Sequence, residues 1–126
     1  VNSRAGLVFL WKEWERQVCV RGVVERLQKA ETQAYFESRP YESQIGAWTS
    51  RQSTEIPDRA HLEDRDLRLR RRFAEGNVPC PDFWGGYAVK PLSIEFWQGR
   101  PGRLHDRFRY HREGLDAPWA CARLAP

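Results

Sequence analysis

Apolar residues enter this chain in short blocks. Residues 5–11, Ala-Gly-Leu-Val-Phe-Leu-Trp, form a continuous apolar run of strand length, which predicts a buried strand. A polar break over residues 12–15 follows. Residues 17–24 then resume in β-branched side chains, so the two runs read as an antiparallel hairpin, with Gly22 as a candidate bulge. From residue 29 to 38 the apolar spacing changes to three and four. Ala30, Ala34 and Tyr35 fall on one helical face, and Pro40 stops that helix at Ser38 or Arg39. A second short helix is expected to begin at Ser43 and run through Trp48. After a polar loop at residues 50–54, Pro57 and Asp58 open a longer helix that ends near Glu75, with Gly76 as its stop and Leu62, Leu69 and Phe73 as its apolar stripe. Strands are then expected at residues 86–89, 93–97, 106–111 and 119–124. Two strands, three helices and four strands in that order predict an α+β fold: antiparallel strands with an inserted three-helix segment.

Composition narrows the picture without deciding it. A chain of 126 residues suits a single domain, and 40% hydrophobic with 13% aromatic residues is globular. The net charge of +4 favours anionic ligands in general. Arg68, Arg70, Arg71 and Arg72 resemble a nucleic-acid patch, but Glu63, Asp64 and Asp66 lie one turn before them and can pair at i,i+4. A salt-bridged, solvated helix face is the expectation, and no nucleic-acid partner. Cys19, Cys80 and Cys121, with His61, His105 and His111, match no zinc spacing, so no metal is expected. Reduced thiols and a cytoplasmic location are expected, and the lack of a long apolar run or lipidation motif predicts no membrane partner. No G-x-G-x-x-G follows a strand and no G-x-S-x-G is present, which removes the signatures of a Rossmann site and of a nucleophile elbow. The chain starts at Val1 and contains no Met, and is expected to be a fragment.

Two constellations carry candidate chemistry. Residues 97–107 place Trp97 before a Gly/Pro turn and then alternate Arg103, His105 and Arg107. In a strand these three share one face, opposite Leu104 and Asp106, and two guanidiniums flanking an imidazole suit a flat anionic ligand. Tyr35 and Arg39 are four apart on a helix, and Ser43 stands where the next helix begins. Phenol, guanidinium, hydroxyl and helix N-terminus make a phosphate cradle. A solvated edge strand, and a Ser N-cap beside a surface Arg, account for the same residues without any ligand.

The residues also form longer blocks: Arg16-Gln17-Val18; Tyr35-Phe36 with Ser38-Arg39-Pro40; Ser43-Gln44-Ile45-Gly46-Ala47; Ser50 with Gln52-Ser53; Trp84-Gly85-Gly86-Tyr87; Glu95-Phe96-Trp97-Gln98-Gly99; Arg103-Leu104-His105-Asp106-Arg107; and Arg123-Leu124-Ala125-Pro126. In this order and spacing, along the whole chain, they resemble the pyridoxine/pyridoxamine 5'-phosphate oxidase family. The resemblance implies an FMN-binding split β-barrel, incomplete at the N-terminus, in a homodimer with the flavin at the subunit interface. Residues 1–126 would be one domain, with residues 84–126 its C-terminal dimerisation region. The implied reaction oxidises pyridoxamine or pyridoxine 5'-phosphate to pyridoxal 5'-phosphate, with O2 as acceptor and H2O2 as product. By matching motifs, Gln17, Gln52, Ser53, Trp97 and Arg107 would contact FMN, and Tyr35, Arg39 and Ser43 the substrate phosphate. Arg103, Leu104 and His105 would hold the pyridine ring, with Arg103 over its face and His105 at its 3-hydroxyl as the catalytic pair. The family has a further N-terminal portion bearing early barrel strands, Arg and Lys contacts to the FMN phosphate and a Lys contact to the substrate phosphate, and this chain resembles the part after it. A phenazine-pathway flavin oxidase of the same fold, or a non-catalytic dimerisation or pyridoxal-phosphate-binding fragment, are the alternatives.

Overall fold

A computed structural model of the chain describes residues 2–126, which divide into two compact units: residues 2–26 with 87–126, and residues 27–86. The first is a sheet. Its strands are β1 (Arg4–Trp11), β2 (Arg16–Arg26), β3 (Tyr87–Gln98), β4 (Asp106–His111) and β5 (Ala120–Arg123). They pair antiparallel in the order β1-β2-β3-β4-β5, and the sheet is open rather than closed on itself. The expected hairpin is β1–β2. Its polar break is a 3-10 turn, Lys12–Trp14, ended by Glu15 at φ 49°.

Two sequence expectations change here. The apolar run of β1 is not buried: it lies at the sheet edge, with Val8 65% and Leu10 64% exposed. The two strands expected at 86–89 and 93–97 are one strand, β3, which continues through Pro91. Proline is tolerated inside a strand at a bulge, where no ladder N–H is demanded of it. Here Gly22 pairs with Pro91 and Arg21 with Ser93, so Leu92 is the extra residue. Gly22 is the only residue type that fits opposite: a Cβ there would stand 2.1 Å from the Lys90 carbonyl oxygen.

Register sorts the sheet into two unlike faces. Opposed residues share a face, so Phe9, Val18, Phe96 and Phe108 line one row and Leu7, Val20, Ile94 and Tyr110 the next. In β2, β3 and β4 the other face carries Gln17, Cys19, Arg21, Ser93, Glu95, Trp97, Arg107, Arg109 and His111.

The second unit holds α1 (Lys29–Ser38), α2 (Tyr41–Thr49) and α3 (Arg59–Arg72). Pro40 ends α1 as expected, but it also begins α2. Ser43 is therefore the third residue of α2 rather than its start, and its N–H bonds the Pro40 carbonyl at 2.9 Å. Asp58 caps α3 by accepting from the His61 N–H at 2.8 Å. That helix ends at Arg72, short of the expected Glu75, and Gly76 follows at φ 84°. All the buried hydrophobic side chains among the described residues are in this unit: Phe36, Ile45, Phe73 and Val78, with Trp48, Leu69 and Trp84 packed against them. Arg70 pairs with Asp66 one turn earlier and with Glu42 on α2, as a salt-bridged helix face requires.

Candidate functional site

In the sheet unit, β-register assembles what sequence distance separates. Gln17 on β2 pairs with Trp97 on β3, and Trp97 pairs with Arg107 on β4, so the three form one cross-strand row on the polar face. Arg107 donates from Nε to Glu95 Oε1 at 2.8 Å and from Nη1 to the Ala125 carbonyl at 2.9 Å. The Glu95 carboxylate raises the pKa of Arg107, which fixes it as a cation, and Nη2 remains for a ligand. Arg107, Glu95, Arg109, His111, Cys19 and Arg21 line a cavity of about 530 Å3. Within it, Arg109 Nε and His111 Nδ1 are buried with no protein partner. Gln17 and Trp97 also border a second cavity of about 510 Å3, with Trp14, Arg16 and Arg100 among its other walls. Both volumes lie in the range of small-molecule sites.

Arg103, Leu104 and His105 depart from expectation. They are not in a strand. Pro101–Arg103 is a 3-10 turn in which Gly102 and Arg103 both have left-handed backbones, φ 66° and 62°, and β4 starts only at Asp106. Arg103, His105 and Arg107 therefore do not alternate along one strand face, because the Pro-Gly pair bends the chain first. Arg103 and Leu104 are exposed. The half-buried His105 lies against Trp97, ring centroids 4.7 Å apart, and its Nδ1 accepts the Arg100 backbone N–H at 3.1 Å. Among the predicted residues, then, the sheet unit brings together Gln17, Trp97, Arg107 and His105. It leaves Arg103 and Leu104 at the tip of the turn.

The helical unit holds the remaining candidates. Tyr35 stacks on Trp84 with centroids 6.0 Å apart, and the Arg39 guanidinium lies 5.0 Å above the same indole. Trp84 thus joins the two side chains expected to grip a phosphate. Arg39 Nη1 is buried and unpartnered, a donor with no acceptor. Gln44 holds this corner by donating to the carbonyls of Phe36, Glu37 and Arg39 at 3.2, 3.2 and 2.9 Å at the end of α1, where the Phe36 carbonyl also accepts the Arg39 N–H at 3.2 Å. Neither Trp84 nor Gln44 was a predicted site residue; the signal for both was their place in the blocks Trp84-Gly85-Gly86-Tyr87 and Ser43-Gln44-Ile45-Gly46-Ala47 that carry the family resemblance. Ser43 is half-buried in the first turn of α2. Gln52 and Ser53 are exposed in the loop before α3, Ser53 with a left-handed backbone at φ 63°.

Among the described residues no group of three or more His, Cys, Asp or Glu is placed to hold a metal ion, and no helix is long and apolar enough to cross a membrane.

Two family models match the chain. Residues 1–70 match the model described as pyridoxamine 5'-phosphate oxidase, and residues 84–126 the pyridoxine 5'-phosphate oxidase C-terminal dimerisation region. The pyridoxine/pyridoxamine 5'-phosphate oxidase of Ralstonia pickettii is 53% identical over 125 residues, covering 99% of this chain and 58% of the relative. The pyridoxamine 5'-phosphate oxidase of Saccharomyces cerevisiae is 48% identical over 126 residues, covering 99% and 55%. This chain therefore spans a little over half the length of these curated relatives. Among solved structures, PhzG from Burkholderia lata, crystallised with tetrahydrophenazine-1-carboxylic acid, superposes with a TM-score of 0.87 at 30% identity, over 98% of this chain and 59% of that one. A pyridoxamine 5'-phosphate oxidase-related, FMN-binding protein from Nostoc punctiforme shares the fold, with a TM-score of 0.64 at 12% identity over 98% of this chain and 63% of that one.

Proposed function

The chain belongs to the pyridoxamine 5'-phosphate oxidase family, and from that premise we propose that it supplies flavin- and substrate-binding residues to an FMN-dependent oxidase. The enzyme converts pyridoxamine or pyridoxine 5'-phosphate to pyridoxal 5'-phosphate, with O2 as acceptor and H2O2 as product. The observation that carries this reading is the cross-strand row Gln17, Trp97 and Arg107, an amide, an indole and a cation side by side on one face. That donor set fits an aromatic, hydrogen-bonding, anionic group such as FMN, and Arg109, two residues along β4, adds a second cation to the same face. Gln52 and Ser53, an amide and a hydroxyl on an exposed loop, are the further FMN contacts that the family resemblance implies. The match to a dimerisation region supports a homodimer.

The hydride acceptor for the substrate's C4' carbon, and the reductant of O2, is supplied by FMN when bound. The protein's share is placement and electrostatics. Arg107, held cationic by Glu95, favours negative charge on the group it binds. Tyr35, Arg39 and Ser43 take the substrate phosphate, whose oxygens satisfy the orphaned Arg39 Nη1. Arg103 shields the pyridine face from water. His105, with Nδ1 already accepting from Arg100, presents Nε2 to the ring's 3-hydroxyl.

A second reading, a phenazine-type oxidase, is favoured by the likeness to PhzG. The presence together of Tyr35, Arg39, Ser43, Arg103 and His105, the substrate residues that the resemblance implies, favours the pyridoxine 5'-phosphate reading instead. The purified protein carrying this chain should absorb in the flavin band at about 450 nm. It should also release H2O2 from pyridoxine 5'-phosphate, with inorganic phosphate competing. A colourless protein that gains no activity on adding FMN would remove the reading. Turnover of a tetrahydrophenazine acid that phosphate does not inhibit would replace it with the second.

A further inference from the structure

We propose that Asp106 is a positioning residue: by clamping Arg100 it fixes the proton of neutral His105 on Nε2, the nitrogen left open to a ligand. Asp106 opens β4 and accepts from Arg100 Nε at 2.8 Å through one oxygen and from Arg123 Nη1 at 2.7 Å through the other. Arg123 is itself held, since its guanidinium lies 4.4 Å over the Phe108 ring. The links therefore run from β5 through Asp106 to Arg100, and from the Arg100 backbone N–H to His105 Nδ1 at 3.1 Å.

Which imidazole nitrogen carries the proton is set by the bond the other one makes. A backbone N–H can only donate, so Nδ1 must accept and the neutral ring is protonated at Nε2. The ring plane is fixed as well, by Trp97 at 4.7 Å. Little else holds Arg100 in place. The segment after it bends through two left-handed residues, Gly102 and Arg103, and Leu104 is 73% exposed. The nearest backbone ties are Gly99 N–H to Glu15 O and Leu104 N–H to Pro101 O, and neither involves Arg100. The two guanidiniums also hold the Asp106 carboxyl below the usual carboxylate range, so the clamp is ionised near neutrality.

The proton placement stands on these contacts alone, whereas its catalytic consequence rests on the reading in which His105 meets the substrate ring. Two measurements separate them. In 15N-labelled protein above the imidazole titration, His105 should show the Nε2–H tautomer, and Asp106→Ala should give an averaged or Nδ1–H pattern. Unchanged His105 shifts in that variant overturn the proposal. Should Asp106→Ala fail to fold, Arg100→Met, which keeps the backbone N–H but removes the clamped guanidinium, is read the same way. In turnover of pyridoxine 5'-phosphate, Asp106→Ala should lower kcat/KM by about tenfold. In a His105→Ala background the same change should cost less than about twofold, because the two residues act as one unit. Equal losses in both backgrounds make Asp106 merely structural and overturn its positioning role. An inactive parent protein would refute the oxidase reading, while the spectra still decide the proton placement.

Discussion

Arg39→Met separates a ligand-binding arginine from a structural one. The guanidinium sits 5.0 Å above Trp84 and 5.9 Å from Phe36, while its Nη1 is buried without an acceptor. Losing the cation–π contacts costs on the order of 1 kcal/mol. Removing a buried, unsatisfied donor returns on the order of 1–3 kcal/mol. Methionine keeps an unbranched stem against the indole, so the two effects nearly cancel, and stability without ligand should stay within about 1 kcal/mol of the parent. Ligand binding has no such offset. A charge-assisted bond to phosphate is worth about 2 kcal/mol, so its loss weakens binding about thirtyfold. Urea denaturation without ligand reads the first quantity, and KM for pyridoxine 5'-phosphate reads the second. The expected pattern is unchanged stability with KM raised about thirtyfold and kcat little altered. A variant that loses more than about 2 kcal/mol of stability while KM stays within about threefold would refute the reasoning. Arg39 would then be a strut on Trp84.

Three further outcomes follow from the same contacts. Gly22→Ala puts a Cβ 2.1 Å from the Lys90 carbonyl oxygen, a backbone atom that cannot step aside. It should cost about 3 kcal/mol and lower Tm by roughly 10 °C, and a loss under about 1 kcal/mol would show that the bulge relaxes freely. Arg107→Gln removes the cation at the end of the Gln17–Trp97–Arg107 row and should reduce FMN affinity about tenfold, read by flavin fluorescence on titration. Unchanged affinity would take Arg107 out of the flavin site. Asp106 has a folded pKa below its unfolded value of about 4. Its contribution to stability is therefore present above that value and lost as pH falls through the folded one. Denaturation midpoints of the parent and Asp106→Asn should converge as pH is lowered below about 4, and a constant gap down to pH 2 would contradict the linkage.

What the sequence disclosed tracks how local each signal is. Pro40 and Asp58 act on the residues beside them, and α1 ends and α3 begins where they direct. The Pro-Gly pair at 101–102 was read only as punctuation before a strand, but Gly102 and Arg103 both turn left-handed and carry Arg103 and His105 out of any strand. Alternation cannot foresee that, because it presumes the extended backbone it is used to infer. The exposure of β1 was hidden for a related reason. An apolar run shows that a strand has something to bury, not that its neighbours bury it, and β1 has a partner on one side only. Trp84 escaped notice as a site residue because its importance lies in touching Tyr35 and Arg39, 49 and 45 positions away.

The cross-strand row depends on the bulge. On the Gly22 side of it, β2–β3 partners have residue numbers summing to 113, as in Gly22 with Pro91 and Val23 with Lys90; from Arg21 with Ser93 onward they sum to 114. Were Leu92 paired with Arg21 instead of bulged out, the first register would continue, and Gln17 would oppose Phe96 while Trp97 faced Arg16. A one-residue slip moves every side chain of a strand to the other face. Since β4 is registered on β3, Arg107 would travel with Trp97, and both would leave Gln17 for the face now lined by Phe9 and Val18. Leu92 is also anchored, for its carbonyl accepts the Arg112 N–H at 3.0 Å and Arg112 Nε bonds the Pro91 carbonyl at 2.9 Å. Proline, which reads in the sequence as a break in the strand, sits instead in the irregularity that aligns the candidate flavin residues. Gly22→Ala consequently tests more than stability. If the bulge sets the row, the variant protein that still folds should bind FMN more weakly than Gly22's distance from Gln17 along β2 would suggest, and loss of stability with full flavin affinity would uncouple the two.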